Sequence, residues 1–156
     1  MSTRQLLVLG AVALLLLALA LKLQQHSAVG LVRADPVRTP GVLNPDVTQP
    51  TIGSTICRRG WTRTIRPPVE YTNGLKEQQM RAYGETGRMS DYQEDHLISL
   101  ELGGDPTDPR NLWPEPYPRA AAVDRIENEL NAQVCSGSLS LADAQTRESA
   151  LKHGQG

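Results

Sequence analysis

Residues 95–112 read DHLISLELGGDPTDPRNL, and this stretch decides how the rest of the chain is interpreted. It begins with a carboxylate beside an imidazole, Asp95 and His96, and reaches Asn111 through a glycine-rich, acidic loop. Hydrolysis of a phosphodiester bond needs a base for water, a cation at the phosphate and ligands for that cation. Histidine suits the base because its pKa is near neutrality, and a carboxylate suits Mg²⁺ or Mn²⁺. The stretch therefore indicates metal-dependent cleavage of phosphodiester bonds.

Asp95 and His96 can serve one phosphate only where a strand ends or bends. Adjacent side chains of a regular strand point to opposite faces, so a continuous strand would separate them. The Gly103-Gly104 pair is a turn signal and accounts for such an ending. Alone it indicates only a turn, and Asp105 and Asp108, each followed by proline or close to one, are turn formers rather than metal ligands.

Residues typical of helix caps and turns predict the remaining helices and strands. Asn73 and Gly84 bound a helix over 75–83, and Ser140 with Asp143 forms a capping box for a last helix to Leu151. A hairpin of 92–100 and 111–113 lies between them, and a helix over 120–134 follows it. We expect the second strand to end at the prolines Pro114, Pro116 and Pro118.

Several motifs occur together from Ile56 to Leu141. They are Ile56-Cys57, Gly60-Trp61-Thr62-Arg63, Arg66-Pro67-Pro68, Asp95-His96-Leu97-Ile98 and Asn111-Leu112-Trp113-Pro114-Glu115-Pro116. In this order they resemble the HNH endonuclease (ββα-metal) superfamily, and more closely a group of small exported bacterial HNH-like proteins. The resemblance implies an α+β fold, in which a small ββα-metal domain with flanking helices follows an N-terminal hydrophobic helix.

The same resemblance implies roles for individual residues. Asp95 would bind the divalent metal, Mg²⁺ or Mn²⁺, His96 would activate water, and Asn111 would brace the loop and orient His96. The substrate would be DNA, with RNA as a further option, and the product would carry a 5′-phosphate.

The last helix of the motif departs from the HNH pattern. HNH enzymes usually place His or Asn early in this helix, whereas this chain has Ala120-Ala121-Ala122. We expect Asp124 to take the ligand's place, with Glu127 as the second candidate. Helical spacing would turn apolar residues inward and leave both carboxylates on a polar flank with Asn128 and Asn131. The inward residues would be Val123, Ile126, Leu130 and Val134.

The first residues indicate export. Leu6 to Leu21 carries no charge, Arg4 precedes it and Lys22 follows it. The run is longer than a typical signal-peptide core and slightly short of the roughly 20 residues of a spanning helix. Residues 1–23 are therefore a signal peptide or a membrane anchor, and the chain is secreted or held at the inner membrane facing the periplasm. Residues 24–54, rich in proline, predict an extended linker before a domain over 55–152 and a tail over 153–156.

The chain has two cysteines, Cys57 near the start of the predicted domain and Cys135 near its end. In an exported protein this pattern suggests a disulfide, worth on the order of 4 kcal/mol in the chain-entropy model. Two independent buried thiols are the alternative.

Basic residues concentrate in the first half of the domain, although the formal net charge of the 156 residues is -1. A phosphate track would give affinity without sequence specificity. A solvated basic face is an equal alternative, because Glu70, Glu77 and Glu85 are interspersed. Trp61 and Trp113 fit the core better than a base-stacking surface. The residues assigned to the track are Arg58, Arg59, Arg63 and Arg66.

The sequence thus predicts an exported, metal-dependent endonuclease of low sequence specificity, with His96 as general base. Its partners would be nucleic acid and, if the N-terminal segment is retained, the membrane; the sequence does not indicate an inhibitor protein. The alternative is a non-catalytic HNH-like module that binds nucleic acid or an envelope partner. The two differ in whether Asp124 or Glu127 reaches the point between Asp95 and His96.

Overall fold

The structure, a computed structural model, describes residues 10–22 and 33–154. The chain divides into two units, with the boundary after Val32. In the first unit, residues 10–22 form helix α1, and most of its leucine side chains are exposed. In the part of the chain that is described, no helix is both long enough and apolar enough to cross a membrane. Residues 1–9, 23–32 and 155–156 of the predicted hydrophobic segment, linker and tail lie outside the described residues.

The second unit, which begins at Arg33, combines helices with a small antiparallel sheet and confirms the predicted α+β class. Its described residues contain one two-stranded sheet. The strands precede the long helix α4 directly, in the order strand, strand, helix. The elements are α2 (Trp61–Ile65), α3 (Val69–Tyr83), β1 (Tyr92–His96), β2 (Leu112–Pro116), α4 (Tyr117–Cys135) and α5 (Leu141–His153).

Strand β2 continues through two prolines. It pairs with β1 in a register that sets Asp95 opposite Trp113. The prediction that Pro114 would end the strand is wrong, because β2 extends to Pro116. A strand with one partner needs an N–H directed toward that partner only at every second residue. Pro114 and Pro116 are two residues apart and fit the positions at which no ladder donor is needed.

Strand β1 is shorter than predicted and ends at His96 instead of Leu100. The backbone N–H of Ser99 leaves the ladder and donates to both carboxylate oxygens of Glu148, each at 3.0 Å. A single 3₁₀ turn, Leu100–Leu102, follows. The chain therefore bends away from the sheet directly after His96, which is the bend that a shared site for Asp95 and His96 would need.

The helix ends follow the predicted signals more closely than the helix starts. Helix α3 ends at Tyr83, where Gly84 takes the left-handed conformation at φ 71°. The helix begins at Val69, after Pro68, and thus before the predicted cap at Asn73. The predicted cap of α5 is present, since the Ser140 hydroxyl accepts a hydrogen bond from the Asp143 amide at 3.1 Å.

Helix α5 includes His153, which the sequence placed in a frayed tail. Its Nε2 lies 3.0 Å from the carbonyl oxygen of Thr39, and its Nδ1 lies 3.2 Å from the Ser149 hydroxyl. This expectation is wrong because an early segment of the chain packs beside the end of α5. Sequence position alone did not reveal that contact.

Residues 33–54 of the predicted proline-rich linker belong to the second unit. Val47 is 5 % exposed and packs in the hydrophobic core. Backbone hydrogen bonds hold the segment against the later loop, from Gly41 to Arg110 at 3.1 Å and from Asn44 to Gly103 at 2.9 Å. Pro50 lies in the first turn of a 3₁₀ helix, Gln49–Ser54, so the prolines do not prevent this segment from forming local structure and packing.

The hydrophobic core brings α4 and α5 together with residues of the preceding loops. Trp113 is completely buried, and Trp61 packs against the core from a partly buried position. Both tryptophans thus follow the core interpretation rather than the base-stacking one. The core residues are Val47, Ile56, Ile98, Leu102, Leu130, Val134, Leu141 and Ala144.

The predicted disulfide joins Cys57 and Cys135, with the two Cα atoms 5.5 Å apart. It closes a loop of 78 residues that contains both strands and all the lining residues of the pocket described below. Cys57 also packs against the hydrophobic core.

Candidate functional site

Asp95 and His96 occupy the last two positions of β1. Both side chains line one pocket of about 330 Å³. Asp124 and Glu127, the two predicted ligands from α4, line the same pocket. The structure therefore brings together the carboxylate, the imidazole and both helix carboxylates that the sequence proposed. The other lining residues are Arg66, Gln93, Glu94, Ser99, Leu100, Glu101 and Asn128.

His96 is held through one nitrogen of its ring. Nε2 lies 3.1 Å from the carbonyl oxygen of Pro106. A carbonyl can only accept, so Nε2 carries the hydrogen and Nδ1 is the basic nitrogen of the neutral ring. Burial lowers the pKa of His96, and the Asp95 carboxylate opposes this effect only in part. The ring is therefore neutral at neutral pH, which is the form that accepts a proton.

Asn111 is fully buried and fixes the loop that carries the Pro106 carbonyl. Its Nδ2 donates to the carbonyl oxygen of Asp105 at 2.9 Å, one residue before Pro106. The same side chain bonds to the amide and the carbonyl of Ile98, at 2.9 Å and 3.0 Å. The expected bracing of the loop thus exists as hydrogen bonds, while the influence of Asn111 on catalysis stays a prediction.

A buried ammonium group lies behind the pocket. Lys152 of α5 is completely buried, and its Nζ donates to Asp95 Oδ2 at 2.7 Å and to the His96 carbonyl oxygen at 2.5 Å. Nζ also forms ion pairs with Glu127 Oε1 at 2.6 Å and with Glu148 Oε1 at 3.5 Å. Two of the three carboxylates that the sequence assigned to a metal ion, Asp95 and Glu127, are therefore paired with a lysine.

The carboxyl groups around Lys152 titrate differently. Burial raises the pKa of Glu148 to about 8, and burial together with the charge of Asp95 raises the pKa of Glu115 to about 9. Burial also acts to raise the pKa of Asp95, but Lys152 outweighs it and the pKa lies below its ordinary value. Burial alone would lower the pKa of Lys152, yet the surrounding carboxylates raise it well above its ordinary range. Lys152 and Asp95 thus form the charged pair at the centre of the group.

The orientation of α4 differs from the predicted one. Ile126 is 37 % exposed, whereas only 12 % of the Glu127 side chain is exposed. The inward position assigned to Ile126 is wrong because the buried face runs through Val123, Glu127, Leu130 and Val134, at spacings of four, three and four residues. Glu127 therefore points inward toward Lys152.

Asp124 remains exposed on the pocket side of α4. Burial and the nearby charge of Asp95 raise its pKa. Of the two predicted helix ligands, Asp124 is thus the one outside the ion-pair network of Lys152.

Glu94 is a pocket residue that the sequence did not single out. Neither of its carboxylate oxygens is accessible, and neither has a hydrogen-bond partner among the described residues. Burial raises the pKa of Glu94 to about 8. Glu94 and His96 are two residues apart on β1 and therefore share one face of the strand. That alternation was the available sequence signal.

The four arginines of the predicted phosphate track are exposed. Arg66, which follows α2, lines the pocket. Arg58, Arg59 and Arg63 are not among the residues of that lining, so the structure brings one member of the track to the candidate site.

The residues at the predicted metal position do not fit a divalent ion in this arrangement. In residues 10–22 and 33–154, no three His, Cys, Asp or Glu side chains come together so as to hold a metal. Asp95 and Glu127 are close to one point, but that point is the Lys152 ammonium. Mg²⁺ or Mn²⁺ therefore stays a prediction from the resemblance.

Lys152, Glu148 and Glu115 are site residues that sequence reasoning missed. Glu148 and Lys152 continue the buried stripe of α5 that begins with Leu141 and Ala144. The available sequence signal was that two charged residues occupy positions of the buried stripe of α5. Charged side chains are buried almost only when they are paired, so these positions indicate a buried ion pair.

Comparisons of the chain with protein-family models, curated proteins and solved structures gave no match. The proposed function therefore rests on the geometry of these residues and on the motifs of the sequence.

Proposed function

We propose that this chain is an HNH-like endonuclease that hydrolyses phosphodiester bonds of DNA, with RNA as the alternative substrate, and with little sequence specificity. The observation that carries the proposal is the position and the protonation of the His96 ring. Its ring lines a pocket, its Nε2 is fixed on Pro106, and its Nδ1 is the basic nitrogen. A neutral imidazole held in this way is suited to take a proton from water as the water attacks phosphorus.

Arg66 supports a phosphate-binding role for the pocket, since it is the exposed cation of the lining. The negative charge that a phosphate meets is reduced at Glu94, because burial raises its pKa to about 8. Guanidinium groups bind phosphate through paired N–H donors. Because Asp95 and Glu127 are paired with Lys152, no catalytic step is assigned here to a metal ion.

A second candidate function is a non-catalytic module that binds nucleic acid or an envelope partner. The observation that favours it is the Lys152 ion-pair network, which uses the Asp95 and Glu127 carboxylates. Such a module would keep the exposed arginines for phosphate contacts and would not depend on His96 as a base.

We also propose that the hydrophobic N-terminal segment directs export to the periplasm, where the chain is secreted or remains anchored to the inner membrane. The Cys57–Cys135 disulfide supports an oxidising compartment. A reporter enzyme that is active only after export, fused after Gly156, tests this with and without residues 6–21.

The nuclease proposal is tested by nicking of supercoiled plasmid with the purified full chain in detergent, in Mg²⁺, Mn²⁺ and EDTA. We expect His96→Ala to lower the rate by about 10²-fold or more, the usual contribution of a general base. His26→Ala, in the predicted linker, is the matched histidine control and should cleave like the wild type. Cleavage that survives His96→Ala would contradict the proposal, and DNA binding without cleavage by the wild type would favour the second candidate.

A further inference from the structure

The ammonium group of Lys152 occupies the point at which two of the predicted metal ligands meet. Its Nζ lies 2.7 Å from Asp95 Oδ2 and 2.6 Å from Glu127 Oε1. We propose that Lys152 is the resident cation of this site and that the native chain binds no divalent metal ion at the Asp95–Glu127 pair. The proposal does not depend on the nuclease function proposed above.

The ammonium of Lys152 is surrounded by oxygen atoms of the protein. An ammonium has three hydrogens and no acceptor. Two hydrogens are donated, to Asp95 Oδ2 at 2.7 Å and to the backbone carbonyl of His96 at 2.5 Å, and Glu127 Oε1 lies 2.6 Å from Nζ as an ion pair. Glu148 adds a further carboxylate oxygen at 3.5 Å. The Lys152 side chain is 0 % exposed, so these contacts take the place of solvent.

The backbone at Lys152 is fixed by contacts on both sides. The carbonyl oxygen of Lys152 accepts a hydrogen bond from the Ala34 amide at 3.2 Å. The preceding carbonyl, of Leu151, accepts from Arg119 Nη2 at 2.7 Å. The next residue, His153, contacts the Thr39 carbonyl. The lysine is therefore anchored in place by the fold, and moving it out would break contacts with α4 and with the segment that begins at Arg33.

A divalent ion and the ammonium exclude each other at this point. Mg²⁺ requires oxygen ligands at roughly 2.0–2.1 Å in near-octahedral geometry. One carboxylate oxygen of Asp95 and one of Glu127 are already in contact with Nζ. A second cation beside Lys152 would also meet like-charge repulsion in a poorly solvated place. The lysine supplies the charge that the carboxylates need, and its removal would leave a site with affinity for a cation.

The test is Mn²⁺ binding to the full chain in detergent, measured by the loss of the free Mn²⁺ electron paramagnetic resonance signal. Thermal unfolding in Mn²⁺ and in EDTA is measured in parallel. We expect the wild type to bind no Mn²⁺ that depends on Asp95, and its unfolding temperature to be the same in both solutions. Binding that disappears in Asp95→Asn would overturn the proposal. Binding that persists in both Asp95→Asn and Glu127→Gln lies elsewhere and agrees with it.

The variant Lys152→Ala removes the cation and leaves room for another. We expect it to bind Mn²⁺ at least about tenfold more tightly than the wild type and to unfold at a higher temperature in Mn²⁺ than in EDTA, because metal binding couples to folding. Lys76→Ala is the matched control, since Lys76 is the second buried lysine of the described residues and bonds to the Tyr92 carbonyl. It should gain no Mn²⁺ affinity.

A folded Lys152→Ala that gains no Mn²⁺ affinity would overturn the proposal. If the variant does not fold in either solution, the comparison of the wild type with Asp95→Asn still decides the question. None of these measurements uses cleavage, so a failure of the nuclease proposal would show only in the plasmid experiment.

Discussion

The side chain of Asn111 pairs with the backbone of Ile98 in both directions. Its Oδ1 accepts from the Ile98 amide at 2.9 Å, and its Nδ2 donates to the Ile98 carbonyl at 3.0 Å. Nδ2 also donates to the carbonyl of Asp105. One buried amide thus joins the chain just after His96 to the loop whose Pro106 carbonyl holds the imidazole, so the geometry of the candidate base depends on a residue outside the pocket lining.

Replacing Asn111 with alanine should destabilise the chain and misplace His96. The change leaves three backbone groups without their partner, two of them buried and one partly buried, which costs roughly 2–4 kcal/mol of the free energy of unfolding. Urea unfolding measures the loss. At a pH where the new side chain is protonated, Asn111→Asp keeps the acceptor and one O–H donor and loses one of the two donated bonds, so we expect an intermediate loss. An unfolding free energy equal to that of the wild type would contradict the bracing role.

The glycine at position 104 should not tolerate a side chain. A Cβ there would lie 1.8 Å from the Ile98 carbonyl oxygen and 2.6 Å from Asn111 Nδ2. We expect Gly104→Ala to lower the free energy of unfolding by about 3 kcal/mol or more. Gly74→Ala is the control, because a Cβ at this exposed position of α3 meets nothing within 4 Å. That substitution should stabilise the chain by about 0.5–1 kcal/mol through helix propensity, and equal effects of the two changes would refute the explanation.

Short sequence motifs were sufficient to predict two helix ends that depend on the conformation or hydrogen bonding of a single residue. Gly84 marks the end of α3 because its φ of 71° favours glycine, and Ser140 marks the start of α5 through its side-chain acceptor. The end of β1 at His96 was not predicted, because the apolar residues after His96 continue a strand-like pattern while Ser99 bonds to Glu148 of a distant helix. The prediction that β2 ends at Pro114 was wrong because the sequence does not reveal which N–H groups of a two-stranded sheet lack a partner.

The site could be predicted only in part from the sequence, because its central residue, Lys152, belongs to a helix that is distant along the chain. The Asp95–His96 pair could be found from its spacing to Asn111. Lys152 lies 57 residues after Asp95, and no local pattern shows that the two are in contact. Counting Glu127 as a stripe residue of α4, in place of Ile126, would have placed one carboxylate inside. An acidic stripe residue predicts a buried partner but does not identify it.

Reducing the Cys57–Cys135 disulfide should cost about 4 kcal/mol of the free energy of unfolding, as expected for a loop of 78 residues in the chain-entropy model. Denaturant unfolding with and without dithiothreitol measures this difference. The double variant Cys57→Ser/Cys135→Ser is the control and should match the reduced wild type under both conditions. A wild type that unfolds at the same denaturant concentration with and without reductant would show that the bond adds no stability.

The free energy of unfolding should fall as the pH rises above neutrality. Burial raises the pKa of Glu94 and of Glu148 to about 8, and burial with the charge of Asp95 raises that of Glu115 to about 9. In the unfolded chain these carboxyls lose their protons at a pKa near 4.5, so between the two values the folded state holds more protons. Stability therefore decreases with rising pH in that window, by up to about 1.4 kcal/mol per pH unit for each proton.

Urea unfolding between about pH 6.5 and pH 8 isolates this effect, because the lowered pKa of His96 gives the opposite slope only below the ordinary histidine pKa. Lys152 does not contribute in the window, since its pKa is raised well above its ordinary value. Glu94→Gln keeps the shape of the side chain and removes one titrating proton, so its slope should be shallower and its stability at pH 8 higher than that of the wild type. A stability that rises over this range, or an unchanged slope in Glu94→Gln, would show that the buried Glu94 carboxyl is ionised in the folded chain.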